Sequence, residues 1–148
     1  MNIQMLLVLF ALVLFSTMLL NTYNIVFNQS SMVYDNLLFL QGQKIADRYF
    51  QKIESELLGD PPVHYFSKIE TDYSNIDTTM TVNNVIFNIN LDSNYCDSLG
   101  ASLVFPNLND TLYQKLDIRI NCLSTSLDTL YIGTLNSPFS KVFINRGF

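Results

Sequence analysis

Apolar residues dominate the start of the chain, and polar residues enter only gradually. Residues 3–20 read IQMLLVLFALVLFSTMLL, and the first charged side chain of the whole sequence is Asp35. A helix of about 20 apolar residues crosses the roughly 30 Å hydrocarbon core of a bilayer. The stretch therefore predicts a transmembrane helix. No Lys or Arg precedes it and no small-x-small site follows it promptly, so we expect a retained anchor rather than a cleaved signal peptide.

A helical stripe follows this stretch. Apolar residues recur at spacings of four and seven, with Lys44, Asp47 and Glu54 on the other side. This 3.6-residue period predicts an amphipathic helix over about residues 31–58. Its apolar face consists of Tyr34, Leu38, Ile45, Tyr49, Ile53 and Leu57.

The stripe and the apolar stretch together predict one long helix. No proline interrupts the chain before Pro61, and Gly42 is the expected position of a bend. Gly59, Asp60 and two prolines form a stop signal, so the helix should end near Leu58. Its apolar half, about residues 3–27, is the transmembrane and assembly segment. The residues that we expect to mediate helix assembly are Leu6, Leu9, Phe10, Val13, Leu20 and Phe27.

From residue 63 onward the hydrophobic period changes from 3.6 to 2. The clearest alternation lies in residues 85–92 and 116–122, with shorter candidate strands at 63–69, 102–105, 129–135 and 141–145. Alternation of apolar and polar residues is typical of strands with one buried face. We expect an α+β fold, in which residues 63–148 form a β-domain with an antiparallel sheet of about four to seven strands.

The apolar face of this sheet is expected to cover the second half of the helix. The residues predicted to make this helix-to-sheet packing are Leu38, Ile45, Tyr49, Ile53, Leu57, Ile118 and Ile120.

Two cysteines, Cys96 and Cys122, lie in the C-terminal part, and neither belongs to a CxxC motif. An isolated pair in a membrane-tethered chain is most simply interpreted as one disulfide bond, which indicates an oxidising compartment. The alternative is a pair of buried thiols, because unpaired cysteine is commonly a core residue. The disulfide interpretation favours placement of the β-domain outside the cytoplasm.

Composition narrows the function classes. The 148 residues carry a net charge of −5 with only eight Lys and Arg, so the basic surface that nucleic acid or anionic lipid needs is absent. His64, the only histidine, has no catalytic partner at a recognisable spacing. The loop acids Asp72, Asp77, Asp92, Asp97 and Asp110 do not form the alternating pattern of a calcium loop. With no nucleotide, protease or esterase motif either, we expect no enzyme, no metal and no cofactor.

An apolar N-terminus, one long helix and then a small sheet with two cysteines make an architecture that resembles the type IV pilin and pseudopilin superfamily. Met1 is similar to the Phe or Met at the mature N-terminus of such proteins. Met5 stands where most pilins carry a glutamate that sets the register between subunits, and Thr22 stands where many carry a proline. Some minor subunits of the superfamily also lack the glutamate.

The resemblance implies a structural protein of an extracellular or envelope-spanning filament. Its partners would be copies of itself, the inner-membrane assembly machinery, and the lipid bilayer before assembly. It would be anchored in the membrane first and then exposed on the cell surface in a filament. Two alternatives use the same anchor and sheet: a single-pass protein whose extracytoplasmic β-domain binds a partner, and a minor pseudopilin of a secretion system.

Overall fold

The first 58 residues are dominated by one helix. The structure is a computed structural model that describes residues 3–59, 66, 68–103, 112–124, 128–134 and 136–145. Helix α1 spans Ile3–Leu58 without interruption and ends at the predicted residue. An antiparallel sheet follows it, so the predicted α+β class is confirmed.

Five strands make up the sheet in the described part of the chain. A short helix, α2 (Lys68–Tyr73), precedes them. The strands are β1 (Ile76–Val82), β2 (Val85–Tyr95), β3 (Tyr113–Leu123), β4 (Thr129–Tyr131) and β5 (Phe139–Ile144). Their order is β1-β2-β3-β4, and β5 also pairs with β3. All pairs are antiparallel, and the long strands β2 and β3 form the centre.

Strands β4 and β5 lie on the same side of β3, one after the other. Leu130 is opposite Cys122, whereas Phe139 is opposite Ile118, so the two short strands together form one interrupted edge strand. The chain leaves this edge at Ile132, whose N–H donates to the Ile120 carbonyl at 2.9 Å. It returns to the edge after a turn closed by backbone hydrogen bonds between residues 134 and 137.

The β1–β2 hairpin has a two-residue loop. Val82 is opposite Val85, and the intervening Asn83 and Asn84 have φ angles of 50° and 64°. Two positive φ values in a two-residue hairpin loop are typical of the type I′ turn, in which asparagine and glycine are favoured.

Three of the predicted strands need correction. Of the candidate at 63–69, residues 63–65 and 67 lie outside the described residues, and residues 68–69 begin helix α2 instead, with Ile69 buried. Of the candidate at 102–105, Ser102 forms only an isolated bridge with Cys96, and residues 104–105 lie outside the described residues. Of the candidate at 129–135, residues 129–131 form a strand, residues 132–134 do not, and residue 135 lies outside the described residues. Strand β1 was not predicted at all.

The chain divides into two compact units within α1, Met1–Leu37 and Leu38–Phe148. In the second unit the C-terminal half of α1 packs on the sheet. The predicted packing residues Leu38, Ile45, Ile53, Ile118 and Ile120 are buried in one core, and Tyr49 and Leu57 pack against it partly exposed. This core follows the sequence alternation, because every second residue of β3 from Gln114 to Cys122 is buried.

Side-chain contacts join α1 to the interrupted edge of the sheet. Gly42 was the expected position of a bend, but it lies in uninterrupted helix directly against the Ile132 side chain. Twelve residues further along α1, Glu54 forms an ion pair with Lys141 of β5, with Nζ and Oε1 2.8 Å apart. The same Nζ lies 5.7 Å from the centre of the Phe50 ring, within the range of a cation–π interaction.

Candidate functional site

The first compact unit presents an exposed apolar surface along α1. Every large hydrophobic side chain from Ile3 to Val33 is at least 51% exposed, although such residues are normally core residues. An 18-residue window of α1 has a mean hydropathy of 2.5 and is long and apolar enough to cross a membrane. The six predicted assembly residues, Leu6, Leu9, Phe10, Val13, Leu20 and Phe27, all lie on this exposed surface.

Two threonine hydroxyls of this unit bond to the backbone of the helix itself. The Thr17 hydroxyl donates to the Leu14 carbonyl and the Thr22 hydroxyl to the Met18 carbonyl, both at 2.9 Å, so neither hydroxyl requires water. Three amides follow at helical spacing, Asn21, Asn24 and Asn28. Residues at these spacings share one face of a helix, and amides on such a face form hydrogen bonds between helices in an apolar medium.

The disulfide prediction is wrong. Cys96 and Cys122 are both buried, but no bond joins them. The sheet register explains why. The Cys96 N–H donates to the carbonyl of Tyr113, the first residue of β3, whereas Cys122 lies near the other end of that strand. Nine residues of strand span about 30 Å, and a disulfide needs Cα atoms within about 7 Å. Burial raises the pKa of the Cys96 thiol, which keeps it protonated and unreactive.

Polar groups also line the junction of α2 with the rest of the second unit. The Tyr73 hydroxyl donates to Glu56 of α1 at 3.2 Å. Burial, and then the Glu56 charge, raise the pKa of Tyr73 to about 12. Burial, and then the charge of Glu70, raise the pKa of Tyr95. In the described part of the chain, these contacts join α2 to α1 and to β2.

The face of the sheet turned away from α1 carries a row of linked polar side chains. Asn90 donates to Asp77 at 2.7 Å and accepts from Arg119 at 3.1 Å. Arg119 also pairs with Asp92, with an N–O distance of 3.6 Å. Next to this row, the Asn88 amide donates to Asn121 at 2.9 Å. A shallow groove of about 220 Å³ lies over this row and the neighbouring Asn88–Asn121 pair.

Sequence reasoning identified this face only in part. The alternation marked Asn88, Asn90, Arg119 and Asn121 as the polar side of two strands. Which of these side chains meet depends on the register between strands. Strand β1, which was not predicted from the sequence, contributes Asp77. The Asn83-Asn84 turn was the signal that could have revealed that strand.

The remaining candidates from the sequence do not form a site. Asp92 pairs with Arg119, and Asp97 accepts from the backbone N–H groups of Leu99 and Ala101 as a loop cap. Among the described residues no group of three or more metal-ligating side chains is present. His64 and Asp110 lie outside the described residues.

The fold and its surfaces define an α+β protein with an exposed, apolar N-terminal helix that is able to cross a membrane. Comparisons with protein-family models, with curated proteins and with solved structures find no match to this chain.

Proposed function

We propose that this chain is a pilin-like structural subunit that assembles with copies of itself through the apolar half of α1. The observation that carries the proposal is the length of the exposed apolar surface. It extends from Ile3 to Val33, or 31 residues, whereas a bilayer covers about 20 residues of a helix. An anchor alone would leave about ten residues of apolar helix in water, including Phe27.

Self-assembly buries the apolar residues of α1 that extend beyond the bilayer. Burying one large apolar side chain contributes about 1.5–3 kcal/mol relative to water, so the exposed segment beyond the bilayer favours a partner strongly. Identical helices present identical amide faces, so Asn21, Asn24 and Asn28 of neighbouring copies are able to bond to one another. The absence of charge before Asp35 lets the same helix exchange lipid contacts for helix contacts.

The second candidate is a single-pass membrane protein whose β-domain binds an unlike partner, or a minor pseudopilin of a secretion system. The polar outer face of the sheet favours a binding role, because it presents hydrogen-bonding groups that the fold itself does not use up. The two candidates differ in what covers Phe27: copies of this chain in a filament, and a different protein or lipid headgroups otherwise.

The test separates anchoring from assembly. Phe27→Lys places a charge beyond residues 3–20, the stretch whose length matches the hydrocarbon core of a bilayer, so the protein should still fractionate with membranes. A lysine at the centre of a membrane-spanning helix costs about 2.5–3.5 kcal/mol. We expect a penalty of the same kind when a lysine is buried in an apolar filament core, so the variant should not assemble. We expect cells with the native chain to release filaments on shearing, visible by negative-stain electron microscopy with an antibody to this chain, and the variant to release none.

Gln43→Lys is the matched control, because Gln43 is an exposed polar residue of the same helix. It should leave filaments unchanged. A photoreactive residue at position 27 gives an independent readout. Crosslinked species at multiples of the subunit mass support self-assembly. If the crosslink instead contains one unlike protein, and native cells release no filaments, the self-assembly proposal is overturned in favour of the anchored binding protein.

A further inference from the structure

The outer face of the sheet is organised around two rows of side chains that cross three or four strands. In one row Thr79, Asn88, Asn121 and Tyr131 stand opposite one another in register, on strands β1 to β4. In the other row, Asp77 is opposite Asn90, which is opposite Arg119. Neighbouring strands are about 4.8 Å apart, so each row is a continuous line of polar groups.

Hydrogen bonds within the rows hold the amides in fixed orientations and leave part of their capacity unused. A side-chain amide offers two donors and an acceptor with two lone pairs. Asn88 uses one donor on Asn121, and Asp77 uses one oxygen on Asn90. Within the described chain, no hydrogen bond occupies the Asn88 oxygen, the Asn121 NH₂ group or the second Asp77 oxygen. Donors and acceptors are therefore preorganised together at one surface.

The groove over these groups is small. Its volume is about 220 Å³, and Thr79, Asn88, Asn90 and Asp77 are among the residues that line it. Clefts for drug-sized ligands are roughly 300–1,000 Å³, so this one suits a single ring. Tyr131 borders it on the strand beyond Asn121 and is 61% exposed, so an aromatic ring face is available beside the amides.

The chemistry of the groove selects against charged ligands. Arg119 is already engaged by Asp92 and Asn90, so no unpaired positive group in the described rows awaits a phosphate. Asp77 would repel an anion, and among the described residues no group of three or more His, Cys, Asp or Glu side chains is placed to hold a metal ion. A neutral ligand with several hydroxyl groups and an apolar C–H face matches amides, one carboxylate and a tyrosine ring.

We propose that this groove binds a pyranose ring of a glycan. Asp77, Asn88 and Asn121 bond to ring hydroxyls, and Tyr131 packs against the C–H face of the sugar. The proposal concerns the outer face of the sheet alone and stands whether or not the chain forms a filament.

Saturation-transfer NMR on the full-length protein tests the proposal. The protein is held in micelles of a detergent without a sugar headgroup, and the probes are the methyl glycosides of glucose, galactose and mannose at millimolar concentration. Sorbitol, which has hydroxyls but no ring, is the chemical control. We expect transfer to the C–H protons of at least one pyranoside and none to sorbitol.

Two variants locate the site. Tyr131→Ala and Asn121→Ala should weaken binding of that pyranoside roughly threefold to tenfold each, the loss expected from one contact or hydrogen bond. Asn94→Ala is the matched control, because Asn94 is an exposed amide on the same face of β2 outside the groove. Tyr131 is exposed, so its removal leaves the fold intact. Absence of transfer to all three pyranosides, or equal weakening by Asn94→Ala, would overturn the proposal.

Discussion

Ile132 fills the space that a side chain at Gly42 would occupy. A Cβ at residue 42 would stand 2.6 Å from Ile132 Cδ1 and 2.9 Å from its Cγ2, closer than carbon atoms approach. Ile132 is the residue at which the chain leaves the sheet edge between β4 and β5. The bare helix surface at Gly42 therefore lets α1 approach that edge closely.

Gly42→Ala should reduce the free energy of unfolding by about 1 kcal/mol. Alanine improves helix propensity by about 1 kcal/mol, but the overpacking costs about 1–3 kcal/mol. Combining it with Ile132→Val removes the closest methyl group, so the double variant should lose less than the sum of the single ones. Denaturant unfolding of the protein in micelles, followed by circular dichroism, measures this. Gln43→Ala, an exposed neighbour, should be neutral or stabilising; additive losses in the cycle would contradict the contact.

Lys141→Ala should cost about 1 kcal/mol. It removes the ion pair with Glu54 and the contact with the Phe50 ring, which contribute about 0.2–1 and 0.5–1 kcal/mol respectively. Part of the loss should disappear at high salt, because the pair is partly exposed. Lys52→Ala is the control, since Lys52 pairs with Glu56 at 3.8 Å and is 59% exposed. Equal losses in both variants would refute a special role for Lys141.

Tyr73 should make stability depend on pH in the alkaline range. Burial and Glu56 raise its pKa from 10.0 to about 12, so the unfolded chain gives up this proton first. The stabilisation is complete below pH 10 and is lost as the pH rises from about 10 to about 12. Tyr73→Phe should abolish this component of the unfolding free energy. Glu56→Gln should move it only partly, because burial is the larger cause; an unchanged alkaline profile in Tyr73→Phe would count against this account.

Asn84→Gly should stabilise the β1–β2 hairpin by about 0.5–1 kcal/mol. The φ angle of Asn84 is 64°, a left-handed conformation that costs a residue with a Cβ about 1–2 kcal/mol and glycine almost nothing. The same change within strand β2, Asn94→Gly, should instead destabilise, because glycine weakens a strand interior. Thermal unfolding of both variants measures the two signs, and a loss of stability in Asn84→Gly would show that the turn is not of this type.

Cys96 and Cys122 should react as two reduced thiols. Protein extracted from membranes in the presence of an alkylating reagent and then unfolded should carry two modified cysteines without any reductant, because the sheet keeps Cys96 and Cys122 about 30 Å apart. Intact-mass measurement with and without reductant is the assay. A chain two hydrogens lighter before reduction would contradict the register of β3.

Sequence patterns identify the long elements and miss those set by tertiary contacts. Residues 116–122 alternate cleanly and form β3, and the stripe through Ile45 and Ile53 is buried as its period requires. Strand β1 escapes prediction because threonines occupy both of its faces, at positions 78, 79 and 81. The disulfide prediction failed for another reason. The sequence shows that two cysteines are present, but the distance between them depends on the register of the strands. The same register brings Asp77, Asn90 and Arg119 together.

The interruption between β4 and β5 gives this fold a position that should tolerate inserted residues. β4 and β5 pair with separate parts of β3, and neither pairing constrains how many residues lie between them. Ile132 and Gly133 are held by the helix and by β3, but Asn136 and Ser137 are exposed at the tip. An inserted peptide at that tip would be displayed in solvent while both halves of the edge kept their register, so natural variation in length and engineered epitopes should both concentrate there.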